Sequence, residues 1–177
     1  MIYQLHIRLL EVQPLIWRQF LVKGDTNMQQ LHNIIQIVMG WYDMHLWILY
    51  IQGMQFGHAL GQTGNSEEMT LADMKLRKGN SFDYEYDFGD RWEHQIIVED
   101  IFEPQPLKRY PACIAGKRAC PPEDCGGSWS YMHVMDVLKK RRGRDYRAIR
   151  EHAGKDFNPA VFKRTPINAQ LRSGEWK

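Results

Sequence analysis

Alternating apolar and polar positions predict β-strands at the start of the chain. Every second residue from Tyr3 to Leu9 is apolar, so residues 2–12 are typical of a strand rather than of a signal peptide. Gln13-Pro14 interrupts this pattern, and a second strand is expected over residues 16–23. The chain therefore opens with a predicted β-hairpin.

Helical spacing follows this hairpin. Thr26, with Gln29 three residues later, has the pattern of a capping box at a helix start. Apolar residues from Leu31 to Val38 repeat every three or four positions, and Gly40 is expected to end the helix. An extended, aromatic pattern is predicted over residues 45–56.

A second hairpin is predicted in the middle of the chain. A polar, glycine-rich loop over residues 57–68 precedes it. Residues 82–88 and 92–101 then alternate on either side of a turn at Gly89-Asp90. The three prolines within residues 103–111 predict irregular structure after the second strand.

The last third of the chain is predicted to be helical. One helix is expected to begin near Ser128, and helical propensity resumes over residues 145–152. This order predicts an α+β fold with a mixed β-sheet, one packed helix in a β-grasp-like arrangement, and a C-terminal helical extension. We expect one domain over residues 1–177, with a sheet-rich core over 1–126 and a helical extension and tail over 127–177.

Composition narrows the class of protein. The chain has 177 residues, of which 44% are hydrophobic and 12% aromatic, and this composition argues against disorder. The formal net charge of +2 implies no partner by itself. No apolar run approaches the ~18 residues of a membrane-spanning helix, so no membrane partner is expected. Three cysteines are more typical of a reducing compartment than of a disulfide framework, and the cytoplasm is the expected location.

Acidic residues mark the first strand of the central hairpin. Asp83, Glu85 and Asp87 alternate onto one face, which is either a cation-binding face that includes Asp90 or an ordinary solvated surface. His94 in the partner strand falls on an apolar face, where it is either a general base or a core histidine. The catalytic candidates are therefore Asp87, Asp90 and His94.

The three cysteines lie in a proline- and glycine-rich segment over residues 113–125, which is predicted to be a loop. Their thiols, together with a histidine, could supply the four ligands of a zinc site, but their spacing also fits buried, inert thiols. The candidate zinc ligands are Cys113, Cys120, Cys125 and His94. Glu123 and Asp124 are interpreted as outer-shell partners of such a metal or as a helix cap.

Two further groups of residues are candidates for binding. His32 and His45, on either side of the end of the first helix, could line a pocket. Seven of the twelve residues from Lys139 to Arg150 are basic, which favours either contact with DNA or RNA or a solvated helix end. The nucleic-acid candidates are Lys139, Lys140, Arg141, Arg142, Arg144 and Arg147.

Several segments, spread in order over nearly the whole chain, form a combination that is hard to obtain by chance. They are Pro14–Arg18, Leu31–Gln36, Met39–Trp41, His45-Leu46, Tyr84–His94, Cys120–Gly127 and Phe157–Pro159. In this combination the chain resembles the plasmid pRiA4b ORF-3-like family. The resemblance implies an α+β fold and a link to mobile elements, and it implies no defined activity. Such relatives tend to be acidic after the second helix, where this chain is basic.

Three functions remain open from the sequence. The first is a non-enzymatic binding or accessory module that contacts nucleic acid through the basic run. The second is a zinc-dependent enzyme that uses Asp87, Asp90, His94 and the cysteine segment. The third is a scaffold that binds a protein or peptide partner in an aromatic cleft near Trp17, Trp41 and Trp92.

Overall fold

A seven-stranded β-sheet forms the centre of the computed structural model, which describes residues 1–58 and 64–177. The elements in chain order are β1 (Ile2–Leu9), β2 (Trp17–Lys23), α1 (Met28–Met39), β3 (Trp47–Ile51), β4 (Met54–Gly57), β5 (Ser81–Tyr86), β6 (Trp92–Phe102), β7 (Ala112–Lys117), α2 (Gly127–Lys140), α3 (Tyr146–Ala153) and α4 (Arg164–Ser173). Positions 59–63 of the predicted loop over 57–68 lie outside the described residues.

The sheet is antiparallel, so the predicted mixed sheet with a β-grasp-like arrangement is wrong. Its strand order is β4-β3-β5-β6-β1-β2-β7, and each neighbouring pair among the described strands runs antiparallel. The alternation of residues predicted the positions of β1, β2, β5 and β6 but not their partners, and it did not predict β7. In particular, β1 pairs with β6 at Leu9 and His94, which are far apart in the sequence.

The prediction of one packed helix is also wrong, because the described residues contain four helices. Helix α1 buries Leu31, Ile34 and Val38 in the core. Helix α4 contacts both β7 and α1, although its sequence has only scattered apolar residues. It contributes Leu171 to the core, so part of the predicted tail is a packed helix.

The capping box of α1 lies one residue later than the pattern of Thr26 and Gln29 predicts. The Asn27 side chain accepts a hydrogen bond from the backbone N–H of Gln30 at 2.8 Å, and the Gln30 side chain accepts one from the Asn27 N–H at 3.2 Å. The helix ends as predicted at Gly40, whose φ of 107° suits a residue without a Cβ.

The first part of the predicted cysteine loop is a strand. Cys113 lies in β7, which pairs with β2 at the edge of the sheet. The turn-forming residues Pro121-Pro122 and Gly126 lie after β7, so they do not prevent its pairing with β2. The irregular part of this segment is residues 118–126, which connect β7 to α2 and which we call the cysteine loop.

Large aromatic side chains form the core where β3, β5 and β6 meet. Trp47 is opposite Tyr86, and Tyr86 is opposite Trp92, so the three side chains share one face of the sheet. All three are buried.

Within residues 1–58 and 64–177, the helices are too short or too polar to cross a bilayer.

Candidate cation site

Three irregular segments meet at one end of the central hairpin. They are residues 41–46 after α1, the turn of residues 87–91 between β5 and β6, and the cysteine loop. The backbone N–H of Asp87 donates to the carbonyl of Leu46 at 2.9 Å, and the N–H of Gly126 donates to Oδ2 of Asp90 at 3.0 Å. These two contacts connect the hairpin turn to both loops.

Asp87 leaves the strand at the start of this turn. Its φ of 57° is left-handed, so the alternation of β5 stops and its side chain is buried, whereas Asp83 is exposed. The predicted common acidic face of Asp83, Glu85 and Asp87 therefore does not include Asp87. Oδ1 of Asp87 accepts hydrogen bonds from the N–H groups of Gly89 and Asp90 at 2.9 and 3.2 Å, and Oδ2 is left for other contacts.

His45 brings carboxylates from two segments around one nitrogen atom. Its Nε2 lies 3.0 Å from Oδ1 of Asp124, 3.6 Å from Oδ2 of Asp87 and 4.0 Å from Oε2 of Glu123. None of these contacts has the geometry of a hydrogen bond, and Nε2 is buried. Carboxylates this close together repel one another unless a proton or a cation lies between them.

Glu123 is held in place by two donors. Its Oε1 accepts hydrogen bonds from the Tyr42 N–H at 2.9 Å and from the Tyr86 hydroxyl at 3.0 Å, while its Oε2 is buried with no hydrogen-bond partner among the described residues. Burial and the neighbouring Glu123 raise the pKa of Tyr86 well above its usual range. The Tyr86 hydroxyl therefore keeps its proton and remains a donor to Glu123.

Buried His32 fixes the segment that carries His45. Its ring is stacked on Trp47, with centroids 4.2 Å apart, and its Nε2 lies 2.8 Å from Oδ1 of Asp43. Its Nδ1 lies 2.9 Å from the Tyr84 hydroxyl. Burial lowers the pKa of His32, which favours the neutral imidazole.

A cavity of about 640 Å³ opens beside these residues. Its walls include His45 and Asp87, together with Asp43 and His58. A cation at His45 and Asp87 would therefore border a space large enough for water and a small ligand.

The structure brings together a different set of potential metal ligands from the set that the sequence suggests. In the described ranges, the cluster of three or more potential ligands consists of His45, Asp87 and Asp124, whose ligand atoms all lie within 4.8 Å of one another. Of the catalytic candidates, this cluster includes Asp87 alone. Asp90 instead accepts the hydrogen bond from the Gly126 N–H, at the start of α2.

His94 lies in the core of the protein. It is 1% exposed, and its ring packs edge-on against Trp41 at 5.3 Å. Its Nδ1 lies 3.2 Å from the carbonyl of Tyr84. Burial lowers the pKa of His94 to about 3, so the ring is neutral near pH 7.

The three cysteines are buried, free thiols. Burial raises the pKa of Cys113 to about 11 and that of Cys125 to about 12, and it raises the pKa of Cys120 further. These surroundings favour the neutral thiol over the thiolate that zinc requires. The structure does not gather the three thiols and His94 into one ligand cluster within the described residues. Zinc binding at these residues stays a prediction.

The basic run lies on the surface, and its side chains differ in whether they have partners within the protein. Lys140 is paired with Asp136 one turn earlier in α2, and Arg150 donates to the carbonyls of Gly154, Lys155 and Phe157. The other five basic side chains are exposed, and no carboxylate in the described part of the chain lies within 4.0 Å of their nitrogens. They are Lys139, Arg141, Arg142, Arg144 and Arg147. Their predicted contact with DNA or RNA remains untested.

The aromatic residues proposed to line a partner-binding cleft are mostly internal. Trp41 and Trp92 are buried with ring centroids 6.0 Å apart, and Trp17 is only partly exposed. The tryptophan most accessible to a partner is Trp129 in α2, which is 84% exposed.

No local pattern in the sequence joins His45 to Asp124. The sequence predicts His45 as a pocket residue together with His32, and Asp124 as an outer-shell partner of a zinc site or a helix cap. The N-cap of α2 is in fact Gly126, which makes no side-chain cap. Only the fold reveals the cluster, because its members lie in three separate segments.

Comparisons with known proteins place this fold in a family. The plasmid pRiA4b ORF-3-like protein family matches residues 1–165. The uncharacterized protein y4hQ of Sinorhizobium fredii is 28% identical over 173 residues, which cover 94% of this chain and 89% of that protein. The crystal structure of a protein of unknown function, MM3350 of Methanosarcina mazei Go1, has a TM-score of 0.82 and 32% identity, covering 92% of this chain and 95% of that one. The chain belongs to the plasmid pRiA4b ORF-3-like family.

Proposed function

We propose that this protein binds a divalent cation through His45, Asp87 and Asp124, and that the cation presents open coordination positions to the adjacent cavity. The observation that carries this proposal is the convergence of carboxylate oxygens on Nε2 of His45 without hydrogen-bond geometry. A cation between these atoms would offset the repulsion between the carboxylates.

The two separations from Nε2 of His45 suit a metal ion. Ligands placed about 2.1 Å from a cation lie about 3.0–3.4 Å from one another in octahedral or tetrahedral geometry. The distances of 3.0 and 3.6 Å from Nε2 of His45 to Asp124 and Asp87 are close to that range. One imidazole and two carboxylates are suitable ligands for Zn²⁺ or Mn²⁺. Three protein ligands would leave positions for water or for a bound molecule.

Titration of chelator-treated protein with Mn²⁺ and with Zn²⁺ tests this proposal. We expect one equivalent to bind, and Asp124→Asn to weaken binding by about a hundredfold or more, since even outer-shell partners change metal affinity by about 10–100-fold. Asp83→Asn removes the same charge from an exposed position on β5 and should leave binding unchanged. Equal affinity in both variants would contradict the proposal.

Nucleic-acid contact is a second candidate, supported by the five exposed basic residues between the end of α2 and the start of α3. Positive side chains without acidic partners can neutralise phosphates, and each neutralised phosphate adds salt-dependent affinity. Fluorescence anisotropy with a short duplex and a single strand, over a salt series, tests this function. Binding should weaken steeply with salt and fail when Arg141, Arg142 and Arg144 are changed to Ala. Flat titrations at low salt would exclude it.

A further inference from the structure

Arg18 in β2 is a buried cation without an acidic partner. Its side chain is 2% exposed, and no carboxylate within residues 1–58 and 64–177 lies within 4.0 Å of its guanidinium. Nε donates to the carbonyl of Val38 at 2.8 Å, and Nη1 donates to the carbonyls of Trp17 and Lys117 at 2.8 and 3.0 Å. Because a buried charge is costly unless it is paired, a counter-charge beside Arg18 would be stabilising.

A cavity of about 480 Å³ adjoins this guanidinium, and we call it the arginine cavity. Nη2 of Arg18 has no hydrogen-bond partner in the described part of the chain, so its donors are available to a molecule in the cavity. Arg118 also lines the arginine cavity, and its Nε is buried without a hydrogen-bond partner among the described residues. Two guanidinium groups that line one cavity can bind an oxyanion, because its oxygens can accept hydrogen bonds from several of their N–H groups at once.

The charges around the arginine cavity favour an anion. Lys163 adds a third cation to the lining, and Asp156 is the acidic residue among the lining residues. Neither Arg18 nor Arg118 lies within 4.0 Å of the Asp156 carboxylate in the described structure. The lining therefore has more positive than negative side chains.

Aromatic and aliphatic side chains form most of the remaining lining, and one of them, Phe162, packs against Arg18 and Gly116. The guanidinium carbon of Arg18 lies 4.7 Å from the centre of the Phe162 ring. A Cβ on Gly116 would approach Phe162 to 2.7 Å and Arg18 to 2.9 Å, so the close packing of these two side chains depends on the glycine. Phe157 adds a second aromatic side chain to the same cavity.

We propose that the arginine cavity binds a small organic anion, with a phosphate or carboxylate group at Arg18 and Arg118 and an apolar body against Phe157 and Phe162. This binding is independent of the cation at His45. The ligand neutralises the buried charge of Arg18, and the apolar wall adds affinity for a molecule that carries a ring.

Isothermal titration calorimetry with inorganic phosphate, phenyl phosphate and benzoate tests the proposal. The full-length protein is kept in EDTA so that no metal-bound phosphate contributes. We expect saturable binding of phenyl phosphate or benzoate, with phenyl phosphate tighter than inorganic phosphate because of its ring. A preference for phenyl phosphate over benzoate would identify the head group as phosphate, and the reverse order would identify it as carboxylate. The absence of saturable binding for all three probes would overturn the proposal.

Four variants separate this site from general charge effects and from the cation site. Arg118→Gln should weaken binding by about tenfold, as expected for the loss of a charge-assisted hydrogen-bonding group. Lys163→Gln, at an exposed position, should weaken it by a smaller factor and provides a second test if Arg118→Gln does not fold. Arg147→Gln removes the same charge from exposed α3, and Asp124→Asn alters the cation site. Both should bind the probes like the wild type. Equal weakening in Arg147→Gln and Lys163→Gln would show that only net charge matters and would refute the proposal.

Discussion

The hydroxyl group of Tyr86 donates a hydrogen bond of 3.0 Å to Oε1 of Glu123. Tyr86 is the last residue of β5, directly before Asp87, and Glu123 directly precedes Asp124 in the cysteine loop. This single contact therefore joins the two segments that contribute carboxylates to the candidate cation site. The same hydroxyl accepts a hydrogen bond from the Met44 N–H at 2.9 Å, next to His45.

Tyr86→Phe should weaken cation binding without removing a ligand. Loss of the hydroxyl frees Glu123 and the segment before His45, so we expect metal affinity to fall by about 10–100-fold, as for other outer-shell partners. Tyr50→Phe, the same chemical change at an exposed position of β3, is the matched control. Calorimetric titration with Mn²⁺ measures both variants, and an unchanged affinity in Tyr86→Phe would show that this hydrogen bond does not organise the site.

Buried His94 should make the protein less stable in mild acid. Burial lowers its pKa to about 3 in the folded protein, whereas an unfolded histidine titrates near its ordinary value of about 6.5. Between these values the unfolded chain binds a proton that the folded protein does not. The free energy of unfolding should therefore fall as the pH falls from about 6.5 to 3, by up to about 1.4 kcal/mol per pH unit from this residue.

Urea denaturation at a series of pH values measures this contribution. Carboxylates and His32 also titrate in this range, so the informative quantity is the difference in slope between the wild type and His94→Gln. In His94→Gln, the slope of the free energy of unfolding against pH should be smaller by up to the contribution of one proton, about 1.4 kcal/mol per pH unit. Parallel curves for the two proteins would mean that His94 does not change its protonation on unfolding.

The three cysteines should be unreactive in the folded protein. Burial raises the pKa of Cys113 to about 11 and that of Cys125 to about 12, so few thiolates exist at pH 8 and access to them is poor. A chromogenic disulfide reagent should react slowly with the native protein and should detect three thiols at once in denaturant. Rapid reaction of any thiol in the native protein would show an exposed cysteine that this structure does not contain.

Gly127 should be the least replaceable glycine near the candidate cation site. Its φ is 77°, and a Cβ would lie 2.7 Å from the backbone carbonyl oxygen of Asp90. Gly143 also has a positive φ, but a Cβ there would meet nothing within 4 Å. Gly143→Ala should therefore cost about 1 kcal/mol of unfolding free energy for backbone conformation, and Gly127→Ala about 1–3 kcal/mol more for the clash. Denaturant unfolding compares the two, and equal losses would show that the turn of Asp90 can move aside.

Local elements of this fold could be predicted from the sequence because they depend on near neighbours. The spacing from Leu31 to Val38 correctly predicted α1, and the alternation on either side of Gly89-Asp90 correctly predicted the hairpin of β5 and β6. Strand order depends instead on contacts between distant segments, such as Leu9 with His94. For this reason the mixed sheet was predicted wrongly, although the alternation predicted the positions of β1, β2, β5 and β6.

The candidate cation site also depends on contacts between distant segments, which the sequence did not predict. Alternation placed Asp87 on an exposed face, but its left-handed φ removes it from the strand and brings it beside His45. No local pattern marks that change. His94, which the sequence groups with Asp87 and Asp90 as a catalytic candidate, lies in the core because β6 directs it between Trp41 and Tyr84.

Anomalous diffraction from crystals grown with Mn²⁺ is the most direct test of the cation site. We expect one strong anomalous peak within about 2.0–2.5 Å of His45 Nε2 and of carboxylate oxygens from Asp87 and Asp124. Data from crystals grown with Zn²⁺ should show a peak at the same place. No peak at these residues, or a peak at Cys113, Cys120 or Cys125 instead, would show that the cation does not bind there.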